Sequence, residues 1–451
     1  MTPIVTPEEM AAIDAAAPEP VEELIERAGA AVAWAARAML GGTYGRVVNM
    51  IAGKGNNGAD GWAAARRLAA AGVQVRTFDA ADCPATLPPA DLVIDAAYGT
   101  GFKGVWKAPD IGDAPVLAVD LPSGVDGLNG EARGRPLAAT HTVTFAALKP
   151  GLLFADGRAL SGDVEVADIG LDTAGATAHL IDPDDVASWW CPRAPGAHKW
   201  VRAVRVIAGS PGMTGAAHLA SGAAQRAGSG MVTLSSPGAD ADAPVEVVRR
   251  TLPVSEWSDA VLDGLDRFHA LVIGPGLGRE HGTADAVRAT VAAAELPVLV
   301  DGDGLFALAG DADGAASVLR GRRWPTVLTP HDGEFAQLAG EPPGADRIAA
   351  CRRLAAELGC VVLLKGPTTV VADSSGEVLV STTGDSRLAT AGTGDVLSGI
   401  IGALLASGVP ALRAAAVGAW IHGAAARLGP PVGLVASDLL DRLPTVLGSL
   451  A

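Results

Sequence analysis

Aromatic residues make up only 4% of this 451-residue chain, so its cores must rest on Ala, Val and Leu. The 49% apolar content is enough for more than one such core. Lysine is scarce as well: Lys54, Lys103, Lys107, Lys149, Lys199 and Lys365 are the whole set. There is no basic block, and the formal net charge is −16. That balance excludes nucleic acid and anionic membrane surfaces as partners, because both demand clustered cations. An anionic ligand must be held by backbone amides and a few placed cations. The four cysteines (Cys83, Cys191, Cys351 and Cys360) show neither CxxC nor metal-ligand spacing, which excludes a zinc site and a disulfide framework. Glu8 and Glu9 carry the wrong sign for a secretory leader. The most apolar window, residues 396–412, is bounded by Asp395 and Arg413 and interrupted by Ser and Pro. It reads as a buried helix and not a membrane span. These exclusions predict a soluble, cytoplasmic protein.

What is present is a pattern of short apolar strands, each ended by glycine. The 57 glycines fall singly after those runs, as tight strand-to-helix turns require. The length calls for two domains, and periodicity fails between Asp172 and His198. The predicted domains are residues 1–175 and 176–451.

In the first half, an apolar run at 47–52 enters Gly53-Lys54-Gly55-Asn56-Asn57-Gly58-Ala59-Asp60-Gly61. A helix over 62–71, a strand over 73–78 and Asp79 about 20 residues on complete a G-x-G-x-x-G unit. A pyrophosphate turn needs bare amides, so Asn56, Asn57 and Asp60 suit a sugar, an amide or a hard cation better. Two further strands end at Asp95-Ala96-Ala97-Tyr98-Gly99 and Asp120-Leu121-Pro122-Ser123-Gly124. In a parallel sheet these ends meet at one edge, where open α/β folds bind ligands.

Gly-Asn-Asn-Gly-x-Asp-Gly, Asp-x-x-x-Gly-Thr-Gly-Phe-Lys-Gly and Val-Asp-Leu-Pro-Ser-Gly, in that order, resemble the NAD(P)HX epimerase family over residues 1–172. The resemblance implies a Rossmann-like α/β/α sandwich that interconverts the R and S hydrates of NADH and NADPH. By motif, the hydrated dinucleotide would be held by Asn56, Asn57, Gly58, Ala59 and Asp60. The second loop, Gly99, Thr100, Gly101, Phe102, Lys103, Gly104 and Val105, would join them, together with Asp120. Asn57, Asp95 and Ser123 would bind a potassium ion through oxygen. Lys103 and Asp120 would handle protons at the nicotinamide ring. Ala59 replaces the family's usual Gly and would strain the loop if that position needs φ > 0.

In the second half, Ala391-Gly392-Thr393-Gly394-Asp395 opens a long apolar helix through Ala406. A glycine turn at a helix N-terminus favours an anion. Asp395 there is either a helix cap or a base beside a bound phosphate. A second anion loop runs Lys365-Gly366-Pro367-Thr368-Thr369, and neither is a Walker A sequence. Strands alternate with helical segments, which predicts another mostly parallel sheet. His-Lys, Gly-Ser-x-x-x-Thr-Gly-Ala, Gly-Pro-Gly-Leu-Gly, Leu-Thr-Pro-His-x-Gly-Glu, Lys-Gly-x-x-Thr and Ala-Gly-Thr-Gly-Asp-Val-Leu follow in order.

That series resembles the ADP-dependent NAD(P)HX dehydratase family, with a ribokinase-like α/β fold, from about residue 180 to the end. The resemblance implies dehydration of the S hydrate at the expense of ADP, giving AMP and phosphate, with magnesium at the site. Lys365, Gly366, Pro367, Thr368, Thr369, Asp385, Ala391, Gly392, Thr393 and Gly394 would bind ADP. Ala216, Gly278, His331 and Asp395 would contact the hydrated dinucleotide, with Asp395 as the catalytic base. His422 reads as packing. Trp200-Val201-Arg202-Ala203 and Asp301-Gly302-Asp303-Gly304 depart from the family's usual wording. Two other readings compete: an ATP-dependent vitamin kinase on the same fold, and a first half that binds nucleotide without catalysis. The expected partners are NADHX, NADPHX and ADP, with a homo-oligomer as a possible assembly.

Overall fold

Six strands in the first half form one parallel sheet. They are β1 (Val47–Ala52), β2 (Gln74–Asp79), β3 (Leu92–Ala96), β4 (Val116–Val119), β5 (His141–Phe145) and β6 (Asp163–Ala167), in the order β2-β1-β3-β4-β5-β6. β3 and β4 are buried throughout, which is why they read as unbroken apolar runs without alternation. The computed structural model describes residues 1–310 and 314–450. It divides into two units, Thr2–Ala178 and His179–Ala451, the latter also including Met1.

In the first unit, α1 (Pro7–Ala16) starts at a Thr6–Glu9 capping box. α2 (Val21–Leu40) buries Leu24, Ala28, Val32 and Ala36, four residues on one face. α3 (Asn56–Ala70) packs on it so closely that a Cβ on Gly29 would lie 2.3 Å from that of Ala63. The residue pattern predicts a start at Trp62, but this helix begins at Asn56. Gly58 and Gly61 are poor helix formers, but tertiary packing overrides that preference. A Cβ on Gly58 would meet the Gly53 carbonyl oxygen at 1.9 Å, and one on Gly61 the Ala96 Cβ at 2.6 Å.

The second unit has its own mostly parallel sheet. Its strands are β7 (Val204–Ile207), β8 (Val232–Pro237), β9 (Val248–Leu252), β10 (Ala270–Ile273), β11 (Val298–Val300), β12 (Thr326–Leu328), β13 (Val361–Leu364), β14 (Thr369–Ala372) and β15 (Val378–Ser381). They run β15-β14-β13-β12-β11-β10-β7-β8-β9, and only the β13–β14 and β14–β15 pairings are antiparallel. The helices that matter for the site are α4 (Thr214–Arg226), α5 (Asp303–Ala309), α6 (Asp332–Ala339), α7 (Arg347–Leu358), α8 (Thr393–Ala406) and α9 (Ala411–Arg427). α8 is buried almost all round, and a Cβ on Gly399 would lie 2.2 Å from the Ala220 carbonyl oxygen of α4. The apolar window to residue 412 is therefore two helices. Gly408 adopts φ +85° after α8, and Pro410 caps α9. Among the described residues, no helix is long and apolar enough to cross a membrane.

Candidate functional site

At the C-terminal ends of β1, β3 and β4 lies a cavity of about 650 Å³. It gathers Asn56, Asn57, Asp60, Gly99, Thr100, Gly101, Phe102 and Asp120 from the predicted set. Lys103, Gly104 and Val105 are exposed and lie outside its lining, and Val105 is 79% exposed. Gly58 is buried beneath the loop, and Ala59 faces a different groove. Four further charged groups line the cavity: Lys149, after β5, Asp14, from α1, Glu19 and Lys54.

Lys149 is 1% exposed, and its Nζ lies 2.7 Å from Asp120 Oδ1. The ammonium also donates to Thr144 Oγ1 at 2.9 Å and to the Phe145 carbonyl at 3.0 Å. Thr144 Oγ1 donates in turn to Asp120 Oδ1 at 3.0 Å. Every Lys149 proton has a use, as a buried ammonium requires. Asp120 itself holds φ +66°, unusual for a residue with a side chain, and its N–H donates to the Val143 carbonyl at 2.7 Å. Backbone strain of this kind clusters at sites where a side chain must be aimed. Burial, with the charges of Asp120 and Asp14 adding to it, pushes the Asp60 carboxyl up to about 8 against the pull of Lys149. Burial also raises Asp14. Asp60 is therefore protonated at neutral pH, a proton donor beside an ion pair.

Asn57 carries both of its side-chain polar atoms buried without a protein partner. A buried amide in this state calls for a partner from outside the chain, such as water, an ion or a ligand. Asp95 and Ser123 instead satisfy each other: Asp95 Oδ2 accepts from the Ser123 N–H at 2.9 Å, and Oδ1 from Ser123 Oγ at 2.6 Å. Full burial raises the Asp95 carboxyl despite those bonds.

The loop tolerates no added atoms underneath. A Gly58→Ala Cβ would clash with the Gly53 carbonyl oxygen, so this variant is expected to lose about 3 kcal/mol, read as a lowered denaturation midpoint of the first unit. Ala59 is different. It is helical and absent from the positive-φ residues, so the strain expected of its methyl does not arise.

In the second unit the two anion loops meet. Gly392 adopts φ +89° ahead of α8, which puts Asp395 in the first turn of that helix. Lys365 follows β13, and its Nζ lies 2.6 Å from Asp301 Oδ1 at the end of β11. Ser398 Oγ donates to Asp301 Oδ2 at 2.6 Å. A Cβ on Gly394 would be 3.3 Å from Lys365 Nζ, so the bare helix start lies against the ammonium. Burial lowers the Lys365 pKa, but Asp301 and Glu334 outweigh it and leave the group raised and charged. Asp395 is pushed up to about 7, first by burial, then by Asp301, with Lys365 opposing and Asp303 and Glu334 adding.

The remaining predicted residues have local partners of their own. Arg347 grips Asp332 with two bonds, at 2.9 and 2.8 Å, and donates to the Lys365 carbonyl at 2.8 Å, which steadies the residue 365–369 loop. Thr369 Oγ1 donates within that loop to the Gly366 carbonyl at 3.3 Å, Thr368 is buried, and Pro367 follows Gly366 in it. Asp385 is clamped by Arg387 at 2.6 Å, and that pairing holds its carboxyl below the usual range. Thr393 Oγ1 donates to the Leu388 and Thr390 carbonyls at 2.7 and 2.9 Å, which closes the turn through Ala391. His331 caps α6: its Nδ1 accepts from the Gly333 N–H at 3.0 Å, while the ring stays 61% exposed. Gly278 donates its N–H to Asp303 Oδ2 at 2.9 Å. Ala216 packs in the same region, its Cβ 2.9 Å from where a Gly276 Cβ would be. His422 is buried, and burial, reinforced by the Lys365 charge, lowers it to about 4, so its ring is neutral. Gly302, one of the wording changes, holds φ +55°, which an alanine would resist.

Residue pattern alone does not single out Lys149, Asp14, Asp301, Glu334 or Ser398 for these roles. Lysine scarcity is a usable signal for Lys149. Asp14 gives none, since an acidic residue in an Ala-rich helix looks like a solvated face.

Residues 204–443 match the NAD(P)H-hydrate dehydratase family, and residues 21–84 and 77–151 match the family described as the YjeF-related protein N-terminus. A bifunctional NAD(P)H-hydrate repair enzyme of Moorella thermoacetica is 36% identical over 99% of this chain and 97% of its own length. The chain belongs to the bifunctional NAD(P)H-hydrate repair enzymes. A repair enzyme of the same name from Mycobacterium tuberculosis is 41% identical over 76% of this chain and 75% of its own. Among solved structures, an ADP/ATP-dependent NAD(P)H-hydrate dehydratase of Bacillus subtilis, co-crystallised with ATP and Mg²⁺, aligns with a TM-score of 0.53 and 30% identity. It covers 60% of this chain and 98% of that one. The second unit is thus the ribokinase-like half of a repair enzyme, as its motifs implied. The first unit carries the N-terminal family match.

Proposed function

We propose that the two units perform successive steps of one repair. The first interconverts the R and S forms of NADHX and NADPHX, and the second dehydrates the S form with ADP, releasing AMP and phosphate. The observation that carries this reading is Asp395, pushed up to about 7 at the uncapped start of α8, beside Lys365. A hydroxyl is a poor leaving group. Asp395 takes its proton, the oxygen attacks the terminal phosphorus of ADP and AMP departs. The phosphorylated oxygen then leaves the ring as phosphate with the C–O electron pair, and the adjacent ring carbon gives up a proton to solvent as the double bond forms. Lys365 and the α8 amides face the charge on the transferring phosphoryl group.

Among the described residues, no three His, Cys, Asp or Glu side chains form a metal cage. Mg²⁺ does not need one, because it is held mostly by nucleotide phosphates and water with one or two carboxylates. That is how it would sit here, neutralising phosphate charge.

In the first unit, epimerisation needs a proton removed and returned at the hydrated ring. Asp120 paired with Lys149 supplies base and cation, and protonated Asp60 supplies a donor. Lys149 takes this role in preference to Lys103 because it lines the cavity and is ion-paired with Asp120, whereas Lys103 lies outside the lining. Of the three residues implied for potassium, Asn57 has an oxygen without a protein partner and would contribute it, while the Asp95 and Ser123 oxygens are engaged with each other.

The test is a mixture of R and S NADHX with ADP, Mg²⁺ and potassium, followed by the near-ultraviolet absorbance of NADH. Recovery that exceeds the S fraction, at a rate above spontaneous epimerisation, is expected. Turnover of a vitamin alcohol with ATP alone would sink the reading. Because Asp395 must be ionised, dehydratase kcat/KM is expected to fall about tenfold per pH unit below about pH 7. A profile flat to about pH 5 would remove Asp395 as the base.

A further inference from the structure

A second groove, of about 550 Å³, lies at the C-terminal ends of β1 and β2. Lys54, Gly55, Trp62, Thr77, Phe78 and Asp79 line it. Lys54 and Gly55 also line the larger cavity, so one loop separates two chambers. α3 begins at that loop with Gly55 as its cap and no side-chain oxygen on its first amides. Trp62 projects from the second turn of α3 and is 45% exposed. Asp79 ends β2; its Oδ1 accepts from the Ala81 N–H at 2.8 Å, a bond that leaves Oδ2 uninvolved. Neither step of the proposed repair uses this groove.

A hydrated dinucleotide has two halves joined by a pyrophosphate, and the proton-handling groups fix the nicotinamide half in the larger cavity. We infer that the β1–β2 groove takes the adenosine half. This rests on the epimerase reading. The Asn56 and Asn57 side chains argue against a bare turn in sequence, but no side-chain oxygen caps the first α3 amides in the fold, and these amides with Lys54 sit where the pyrophosphate must cross between chambers. Trp62 offers its indole face to the adenine. Asp79 accepts a hydrogen bond from the 2′-hydroxyl of the ribose. A 2′-phosphate would meet that carboxylate instead. No arginine lines the groove to offset it, and the one lysine there is engaged at the pyrophosphate. The first unit therefore favours NADHX over NADPHX.

The full chain is assayed for epimerisation of R-NADHX and R-NADPHX. Wild type is expected to show a kcat/KM ratio of about ten or more in favour of NADHX. Asp79→Asn keeps an oxygen to cap Ala81 and removes the charge, and should collapse that ratio about tenfold. Lys54→Ala should weaken both substrates while leaving the ratio alone, and Trp62→Ala should raise KM for both. An unchanged ratio in Asp79→Asn overturns the inference. Hydrogen exchange on the full chain gives a readout that does not need turnover. ADP-ribose should protect amides at residues 53–62 and 74–82, and its 2′-phosphorylated form should protect them less. Absence of that protection also overturns the inference. Protection without epimerisation would retain the groove and remove the epimerase reading.

Discussion

Asp395→Asn is expected to lower dehydratase kcat by about 10²- to 10⁴-fold, the usual contribution of a positioned general base, with ADP binding largely kept. The same change should make the second unit more stable above neutral pH. Asp395 titrates near 7 in the folded chain and near the ordinary 3.8 when unfolded. Between those values the folded state keeps a proton that the unfolded state has lost, so stability falls as pH rises from about 4 to about 7. The full cost of ionising the buried carboxylate is present above that window. Asparagine removes it. The gain at about pH 8 is expected to be roughly 2 kcal/mol, discounted because Lys365 loses an attractive neighbour. Denaturant titrations of parent and variant at about pH 4 and about pH 8 read the effect. Retained turnover would remove Asp395 as the base, and equal stability at the higher pH would remove its raised carboxyl.

Lys149→Met should be the most damaging single change in the first unit. It deletes a buried ammonium that binds Asp120 at 2.7 Å, and it leaves Asp120 in its left-handed conformation without its cation. Breaking such a pair costs about 3–5 kcal/mol. Epimerisation should fall by about 10² or more. The Asp60 carboxyl should rise further, because Lys149 is the one charge pulling it down. Lys103, exposed on the loop, provides the contrast: Lys103→Met should leave stability within about 0.5 kcal/mol of wild type. Thermal melts together with R-to-S conversion separate the two lysines. Equal losses in both variants would reinstate Lys103 as a proton carrier.

Much of this molecule is legible in the order of its residues. Apolar runs ended by glycine announce parallel α/β sheets, because strands covered on both faces carry no alternation. Asp120 and Asp395 stand out because each adjoins a run that must be buried. The start of α3 is hidden, since Gly58 and Gly61 look like loop residues until the strand they press against is known. The strain expected of Ala59 fails for the same reason. Its backbone angle belongs to the helix, not to the glycine turn.

The sequence by itself determined two α/β halves, their order, the glycine turns and the aspartate at each sheet edge, since these follow from local period and residue type. The tertiary structure alone brought Asp14, Asp60, Asp120 and Lys149 around one cavity, and Asp301, Glu334 and Ser398 around Lys365 and Asp395. It also decided the protonation of Asp60 and Asp395. Both decisions depend on burial and on charges brought close from distant positions, and neither quantity is written in the spacing of residues along a chain.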